Sequence, residues 1–279
     1  MAERAEYVSC NLCGNDDTTV YLKLDGFSYQ RCRRCGLVYQ NPRPVFGDLE
    51  KRYGANYFDY EYGNQENFFK LMQLGLRDIG FDSLFQTRPP RGTFLDIGCA
   101  TGLLLNEMKG KGWDCRGVEI CRESAEYAMR QFGLDIFIGT LEEAAFPEST
   151  FNAVHLSHLI EHVPNPRALL LEIRRILKPY GYMILTTPNA GGLQARCSRA
   201  TWRSAIADHV YLFSKRTMGQ MLRTTGFTVL KQISWGGIPA GKRPGYVKRP
   251  ADRLAKLFNL GDVMLFHCSP STSQEGGIP

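Results

Sequence analysis

The stretch FLDIGCATGLLL, residues 94–105, decides how the rest of the chain is read. An apolar run that ends in an acid and passes into a glycine-spaced turn reads as a buried strand delivering a loop to a ligand. Gly98 and Gly102 let the backbone turn tightly and approach that ligand without a Cβ. In open parallel sheets, ligands bind beyond the carboxyl ends of the strands, where Asp96 and the loop stand. Glu119 ends the next strand-like run, DCRGVEI, 17 residues after Gly102. An acid placed there can accept hydrogen bonds from two ribose hydroxyls.

Working outward, TFLDIG is followed by a helix from Gly102 to about Lys109. DCRGVEI leads to a helix over Arg122 to Phe132, and DIFIG and FNAVHLS are further strands. Asn165 to Leu177 reads as a helix stopped by Lys178-Pro179, and YMILTTP as a fifth strand. Ser214 caps a helix ending at Gly226, and FTVLKQIS and DVMLFHC close the series. Strands alternating with helices predict a mostly parallel sheet covered on both faces. Three ligands compete for the loop. A dinucleotide fold wants G-x-G-x-x-G and a P-loop wants G-x-x-x-x-G-K-[ST], and neither is present. The third is S-adenosylmethionine.

LDIGCATG resembles motif I of class I S-adenosylmethionine-dependent methyltransferases. HLSHLIEHVPNPRALLLEIRRILKPYGYMILTTPN, residues 155–189, is similar to the stretch that follows in their methyltransferase-11/23 branch. The resemblance runs from about Thr93 to Ser234. It implies an α/β, Rossmann-like seven-stranded sheet of order 3-2-1-4-5-7-6 with the last strand antiparallel. Asp96, Gly98, Cys99, Ala100 and Gly102 would line the methionine part of the cofactor, and Glu119 would hold its ribose. Ile120, Thr140 and Leu141 would flank the adenine, and Ser157 would lie near the methionine end. Two positions depart from the branch: Ala100 where Gly is common, and Asn152 where an acid usually supports the loop.

Cys10-x2-Cys13, 18 residues, then Cys32-x2-Cys35 has zinc-ribbon spacing, with Gly14 and Gly36 where each knuckle must turn. Four protein ligands fill a tetrahedral site, so the expected zinc is structural. The ribbon followed by GLVYQNPRP resembles one found before many small-molecule and sugar methyltransferases, which implies that it buttresses an acceptor pocket. The five other cysteines are scattered and read as inert.

For a hydroxyl acceptor, histidine is the natural base near neutral pH. His158 follows the fourth strand, His162 lies beside Glu161, and His209 sits in an insertion after the fifth strand; these three are the catalytic candidates. His155 and His267 lie within strands and read as packed. His158-x-x-Glu161-His162 is similar to the E-x-x-E-H segment of ubiquinone-biosynthesis O-methyltransferases, which has been linked to a divalent cation, with His158 in place of the first acid. The same letters recur in the branch without metal, where His162 caps or braces a helix. In RYGANYFDYEYGNQENFF, residues 52–69, Tyr53, Tyr57 and Tyr60 are candidates to cover the cofactor, Tyr57 first.

The predicted organisation is a ribbon over 1–46, a helical aromatic lid over 47–91 and a methyltransferase domain over 92–268. Acceptor-pocket insertions are expected near 188–213 and 234–262, and a flexible tail over 269–279. The chain of 279 residues is 43% hydrophobic with a net charge of +6. No apolar run approaches the roughly 20 residues of a membrane helix. The start has no secretory pattern, so a cytoplasmic protein is expected. The charge is too mild to imply nucleic acid by itself. The basic clusters, residues 31–34 and 241–250, read first as solvated surface. The turn after the fourth strand, SHLIEH, lacks the Pro-Pro signature of adenine and glutamine-amide N-methyltransferases. The expectation is therefore O-methylation of a small molecule, then N- or C-methylation of an amine or sugar. An rRNA or tRNA methyltransferase and a non-catalytic cofactor-binding module are the alternatives.

Overall fold

The computed structural model describes residues 3–85, 92–237, 255 and 258–271. Seven strands form the central sheet: β6 (Thr93–Ile97), β7 (Asp114–Glu119), β8 (Asp135–Ile138), β9 (Phe151–Ser157), β10 (Leu177–Pro188), β12 (Phe227–Trp235) and β13 (Val263–Pro270). Their spatial order is β12-β13-β10-β9-β6-β7-β8. Counted along the sheet's own strands this is 3-2-1-4-5-7-6, the order the resemblance implied. Only β13 runs against its neighbours, antiparallel to β10 and β12.

The central strands are buried along nearly their whole length because helices cover both faces. Four helices pack on or flank the sheet: α4 (Leu103–Gly110), α5 (Arg122–Phe132), α7 (Pro166–Ile176) and α9 (Lys215–Thr224). In α7, Asn165 caps the first turn by accepting from Ala168 N at 3.1 Å, and Pro166 occupies the position where no N–H is needed. Its buried face is Leu169, Leu170, Ile173 and Ile176, the period of a helix with one apolar stripe. Ser214 caps α9 with Thr217 completing the reciprocal pair.

Two boundaries differ from expectation. Lys178-Pro179 does not separate α7 from the fifth strand by a loop. β10 begins at Leu177, and its pairing with β9 is irregular between Leu177 and Tyr182, which tolerates the missing Pro N–H. At the other end, β13 takes in Ser269 and Pro270. The remainder of the expected tail, residues 272–279, lies outside the described residues, as do residues 241–250 and most of the 234–262 insertion.

The lid region contains α1 (Phe46–Glu50), a 25-residue α2 (Ala55–Ile79) and α3 (Phe81–Leu84), with Gly80 in a left-handed conformation between the last two. The end of α2 and α3 pack into the core: Leu76, Ile79 and Phe81 join Phe94, Trp113 and Leu265. The stretch of α2 from Tyr57 to Met72 remains to cover a ligand.

The N-terminal cysteine module does not stand apart. Its sheet holds β2 (Thr18–Leu24), β3 (Phe27–Cys32) and β4 (Val38–Gln40), and β4 pairs with β11 (Tyr211–Leu212) from the segment after β10. β1 (Ala5–Glu6) and β5 (Arg43–Pro44) form a small second ladder. Leu12, Leu37 and Tyr39 share one apolar core with Leu169, Val210, Tyr211 and Phe213. A module too small to bury its own core borrows one from its neighbour.

Candidate active site

At the carboxyl ends of β6, β7 and β9 lies a cavity of about 450 Å³. The β6–α4 turn forms its floor, with Gly98 at φ 70°, Ala100 at φ 47° and Gly102 at φ 77°. Three left-handed residues in five turn the chain sharply. Gly98 and Ala100 line the cavity. Gly102 serves the fold instead: a Cβ there would meet Leu134 at 2.7 Å and Ala128 at 2.8 Å. Its bareness lets α4 start against α5, and the residue does not line the cavity.

Glu119 governs this loop. Its Oε2 accepts from Ala100 N at 2.9 Å and its Oε1 from Cys121 N at 2.8 Å. Burial pushes its carboxyl up to about 7, against the pull of those two N–H groups. A carboxylate has about four lone-pair sites, so each oxygen keeps one beyond the bond it already accepts. Asp96 is 2% exposed and its Oδ1 lies 2.7 Å from His155 Nδ1. Burial raises the Asp96 carboxyl and the histidine opposes that rise. His155 thus underpins the floor, a role its place within a strand did not announce. Asn152 also has work: its Oδ1 accepts from Thr93 N at 3.0 Å and from Lys178 Nζ at 2.9 Å, tying together the starts of β6, β9 and β10.

Of the residues expected to meet the cofactor, Tyr57, Asp96, Gly98, Cys99, Ala100, Glu119, Ile120, Thr140, Leu141 and Ser157 all line the cavity. The α2 side adds Tyr53, Glu61 and Gln65. Tyr60 is 59% exposed and does not take part. Glu61 and Gln65 were not singled out from the sequence. Only the helical spacing 53, 57, 61, 65 would have found them, once the face carrying Tyr57 was known to be inward. Burial raises the Glu61 carboxyl.

The opposite wall carries the histidines. His158 and His162 line the cavity. His158 has a left-handed backbone, φ 53°, immediately after β9, a conformation that is strained for a non-glycine residue and clusters at functional sites. Its Nδ1 lies 3.3 Å from Glu161 Oε1. Glu161 is 1% exposed and its Oε2 accepts from Thr187 Oγ1 at 2.9 Å. Burial would raise this carboxyl, but His158, His162 and His209 overcome it and hold it at about 2. His162 Nδ1 lies 3.0 Å from Asp208 O, and His209 Nδ1 lies 2.8 Å from Ser204 O. A carbonyl only accepts, so both rings carry their proton on Nδ1 and leave Nε2 free. His209 packs edge-on to His162, with ring centroids 4.6 Å apart, and does not line the cavity. Burial drives it down to about 4.

Among the described residues, two side-chain clusters suit a metal. The Sγ atoms of Cys10, Cys13, Cys32 and Cys35 lie within 4.8 Å of one another, with 3.4 Å between Cys10 and Cys35 and 3.5 Å between Cys13 and Cys32. Zinc–sulfur bonds of about 2.3 Å in a tetrahedron need sulfurs about 3.8 Å apart, so the four thiols fit with a small expansion. Gly14 and Gly36 turn the two knuckles at φ 71° and 82°. Burial pushes the Cys10 and Cys35 thiols up, Cys35 to about 11, a cost that a cation among the sulfurs would remove. The second cluster is Glu161, His162 and His209.

The chain belongs to the methyltransferase-23 family, whose profile, described as a methyltransferase domain, matches residues 66–232. The ubiquinone biosynthesis O-methyltransferase of Photobacterium profundum is 32% identical over 102 residues, 34% of this chain and 43% of that protein. The protein of the same name from Idiomarina loihiensis is 27% identical over 195 residues, 65% of this chain and 76% of the relative. The chain thus spans less than half the length of the first curated relatives it matches. Among solved structures, a chain of the complex between the Haloferax volcanii Trm112 methyltransferase activator and a methyltransferase superposes with TM-score 0.58 at 17% identity, covering 79% of this chain and 96% of that one. An S-adenosylmethionine-dependent methyltransferase of Archaeoglobus fulgidus gives 0.55 at 20% identity, covering 77% of this chain and all of that one. At these identities the structures support the fold. Family match and sheet order agree that the chain carries a methyltransferase domain with its cavity at the carboxyl ends of the strands. Among the described residues no helix is long and apolar enough to cross a membrane.

Proposed function

We propose that the enzyme methylates a hydroxyl of a small-molecule acceptor, with His158 as general base and Glu161 as its orienting acid. The observation that carries this reading is the position of His158: on the cavity wall, strained, with Nδ1 3.3 Å from a buried carboxylate. When bound, S-adenosylmethionine supplies an electrophilic methyl group. Asp96, Gly98 and Ala100 would seat its methionine portion, Glu119 its ribose, and Ile120, Thr140 and Leu141 its adenine. The β6–α4 floor and the α2 face would enclose the bound cofactor and exclude water. His158 then accepts the hydroxyl proton at Nε2 while Glu161 stabilises the imidazolium through Nδ1. The family match to ubiquinone-biosynthesis O-methyltransferases supports oxygen as the target atom. The four cysteines hold one structural zinc, since all four positions of a tetrahedron are filled by thiolates.

The test is a metabolite-pool assay with methyl-labelled cofactor, followed by mass analysis of the product. A labelled O-methyl ether or ester supports the reading, and label on nitrogen or carbon overturns it. A second reading rests on Glu161 Oε1, which approaches His158 Nδ1 at 3.3 Å without hydrogen-bond geometry, and on the two carbonyl-pinned imidazoles beside it. Pinning Nδ1–H is how metal-ligating histidines are oriented, so Glu161, His162 and His209 can also chelate a divalent cation. Two metal equivalents per chain, with one lost in Glu161→Ala, would favour it over the dyad.

A further inference from the structure

The N-terminal ribbon contacts the segment after β10 in an unusual way: it hydrogen-bonds the backbone of a turn rather than its side chains. The Tyr29 hydroxyl lies 2.8 Å from Ile206 O and 2.7 Å from His209 O, its one proton shared between them. Gln40 Nε2 donates to Ala207 O at 2.9 Å and to His209 O at 3.0 Å, and Gln40 N donates to Val210 O at 2.9 Å. Four carbonyls of one five-residue turn are thus held from the ribbon. Beyond the turn, Tyr211 and Leu212 continue the ribbon sheet, and Tyr211 N donates to Glu161 O at 3.0 Å. Tyr29 is 0% and Gln40 1% exposed. A buried amide is costly unless its polar atoms are matched, and here both N–H groups are spent on this turn.

The one carbonyl of the turn left out of this clamp is Asp208 O, and it faces His162 Nδ1 at 3.0 Å. We propose that the ribbon is a positioning element of the methyl-transfer site: by clamping residues 206–210, Tyr29 and Gln40 aim the Asp208 carbonyl at His162 and thereby fix its ring orientation and tautomer at the cavity wall. The consequence is chemical. With the proton held on Nδ1, His162, which lines the cavity, keeps an unprotonated Nε2, a hydrogen-bond acceptor suited to a methyl-accepting molecule that donates an O–H or N–H. With the turn displaced, the ring loses its partner, both tautomers become available, and the Nε2–H form presents a donor instead. His209 follows the same backbone, because its own Nδ1 is held by Ser204 O and its ring packs on His162. Tyr29, Gln40 and His209 are positioning residues, and none of the three lines the cavity.

This inference rests on the reading of the histidine wall as the acceptor face, and two measurements separate the pair. Gln40→Leu and Tyr29→Phe are made in the full chain with zinc content and cofactor affinity recorded for each. Tyr29→Phe removes a single hydroxyl and serves if Gln40→Leu does not fold. Long-range ¹H–¹⁵N spectra of the histidine rings read the His162 tautomer directly. The expected result is an Nδ1–H ring in the parent and a tautomer mixture in both variants, at unchanged zinc content and cofactor affinity. Turnover should fall about ten- to hundredfold, the scale of a misplaced catalytic wall. In a His162→Ala background the same substitutions should add less than about twofold, since residues acting as one unit are non-additive. An unchanged ring spectrum, or full additivity with His162→Ala, overturns the proposal. A changed spectrum with normal turnover, in these variants and in His162→Ala, overturns the acceptor-face reading and the catalytic consequence drawn from it.

Discussion

The cofactor loop and the histidine wall face one another across a single cavity, yet they are built by opposite means. Most of what shapes the loop lies between Asp96 and Glu119: the three left-handed residues, the Glu119 carboxylate that receives Ala100 N, and α4, which begins as the turn ends, with His155 of β9 bracing Asp96 from outside. The wall is assembled from a turn after β9, Thr187 of β10, residues 204–209, and the ribbon strands carrying Tyr29 and Gln40. A loop held by neighbours in sequence forms wherever its strand pairs form. A wall held by segments more than a hundred residues apart exists only in the complete fold. The first should therefore tolerate damage to the ribbon, and the second should not.

The strongest test of that division is His158→Ala. Turnover should fall about 10²–10⁴-fold while cofactor affinity by calorimetry holds, because His158 belongs to the wall. Equal losses in affinity would merge the two regions. Glu119→Ala is the reciprocal case. On its proposed role it would remove acceptors for two ribose hydroxyls, each charge-assisted bond contributing about 1.5–3 kcal/mol, and it releases Ala100 N. Cofactor dissociation constants should rise at least about tenfold.

Elemental analysis of protein prepared with zinc should find one equivalent held by the cysteines. In Cys32→Ser less than half should remain, with a lowered melting temperature. Cofactor affinity should survive, since the loop shares no hydrogen bond with the ribbon among the described residues.

Proton linkage gives a smaller effect with a definite sign. The Glu119 carboxyl stands at about 7 in the fold against an ordinary 4.5, because burial penalises its charge. Between those values the folded protein binds more protons than the unfolded chain, so stability falls as pH rises. The contribution is full below 4.5 and gone above 7. The cofactor-free enzyme should thus lose stability from this group across that window, and denaturant titrations of the parent against Glu119→Ala should isolate the slope. The smallest effect is expected of Ala100→Gly. Ala100 holds φ 47°, a conformation costing a non-glycine residue roughly 1–2 kcal/mol. Glycine relieves it at an entropic cost, so a gain of up to about 1 kcal/mol should appear with cofactor binding intact.

The sheet and the loop were legible because their signals are local. Apolar runs of strand length, capping residues such as Asn165 and Ser214, and the spacing from Asp96 to Glu119 each report on residues close in sequence. The four cysteines were legible for the same reason, since each knuckle is a short turn with its own glycine. The histidines were legible only as candidates. Nothing in the letters distinguishes His158 and His162 on the cavity from His209 behind them, or shows that His155 supports Asp96. Gly102 was assigned to the cofactor, but its missing Cβ makes room for Ala128 of α5 and for Leu134 just beyond that helix. The resemblance implied that the ribbon buttresses a pocket, but the contact itself, the pairing of β4 with β11, is visible only in the structure.

What the sequence determined by itself is therefore the class of sheet, the cofactor loop and the cysteine cluster, each specified by backbone preferences and short-range spacing. What the tertiary structure decided is which imidazole meets the cavity and which nitrogen carries its proton. That choice is made by the carbonyls of Asp208 and Ser204, and a carbonyl's direction is a property of the assembled backbone, common to every residue type and so invisible in the letters.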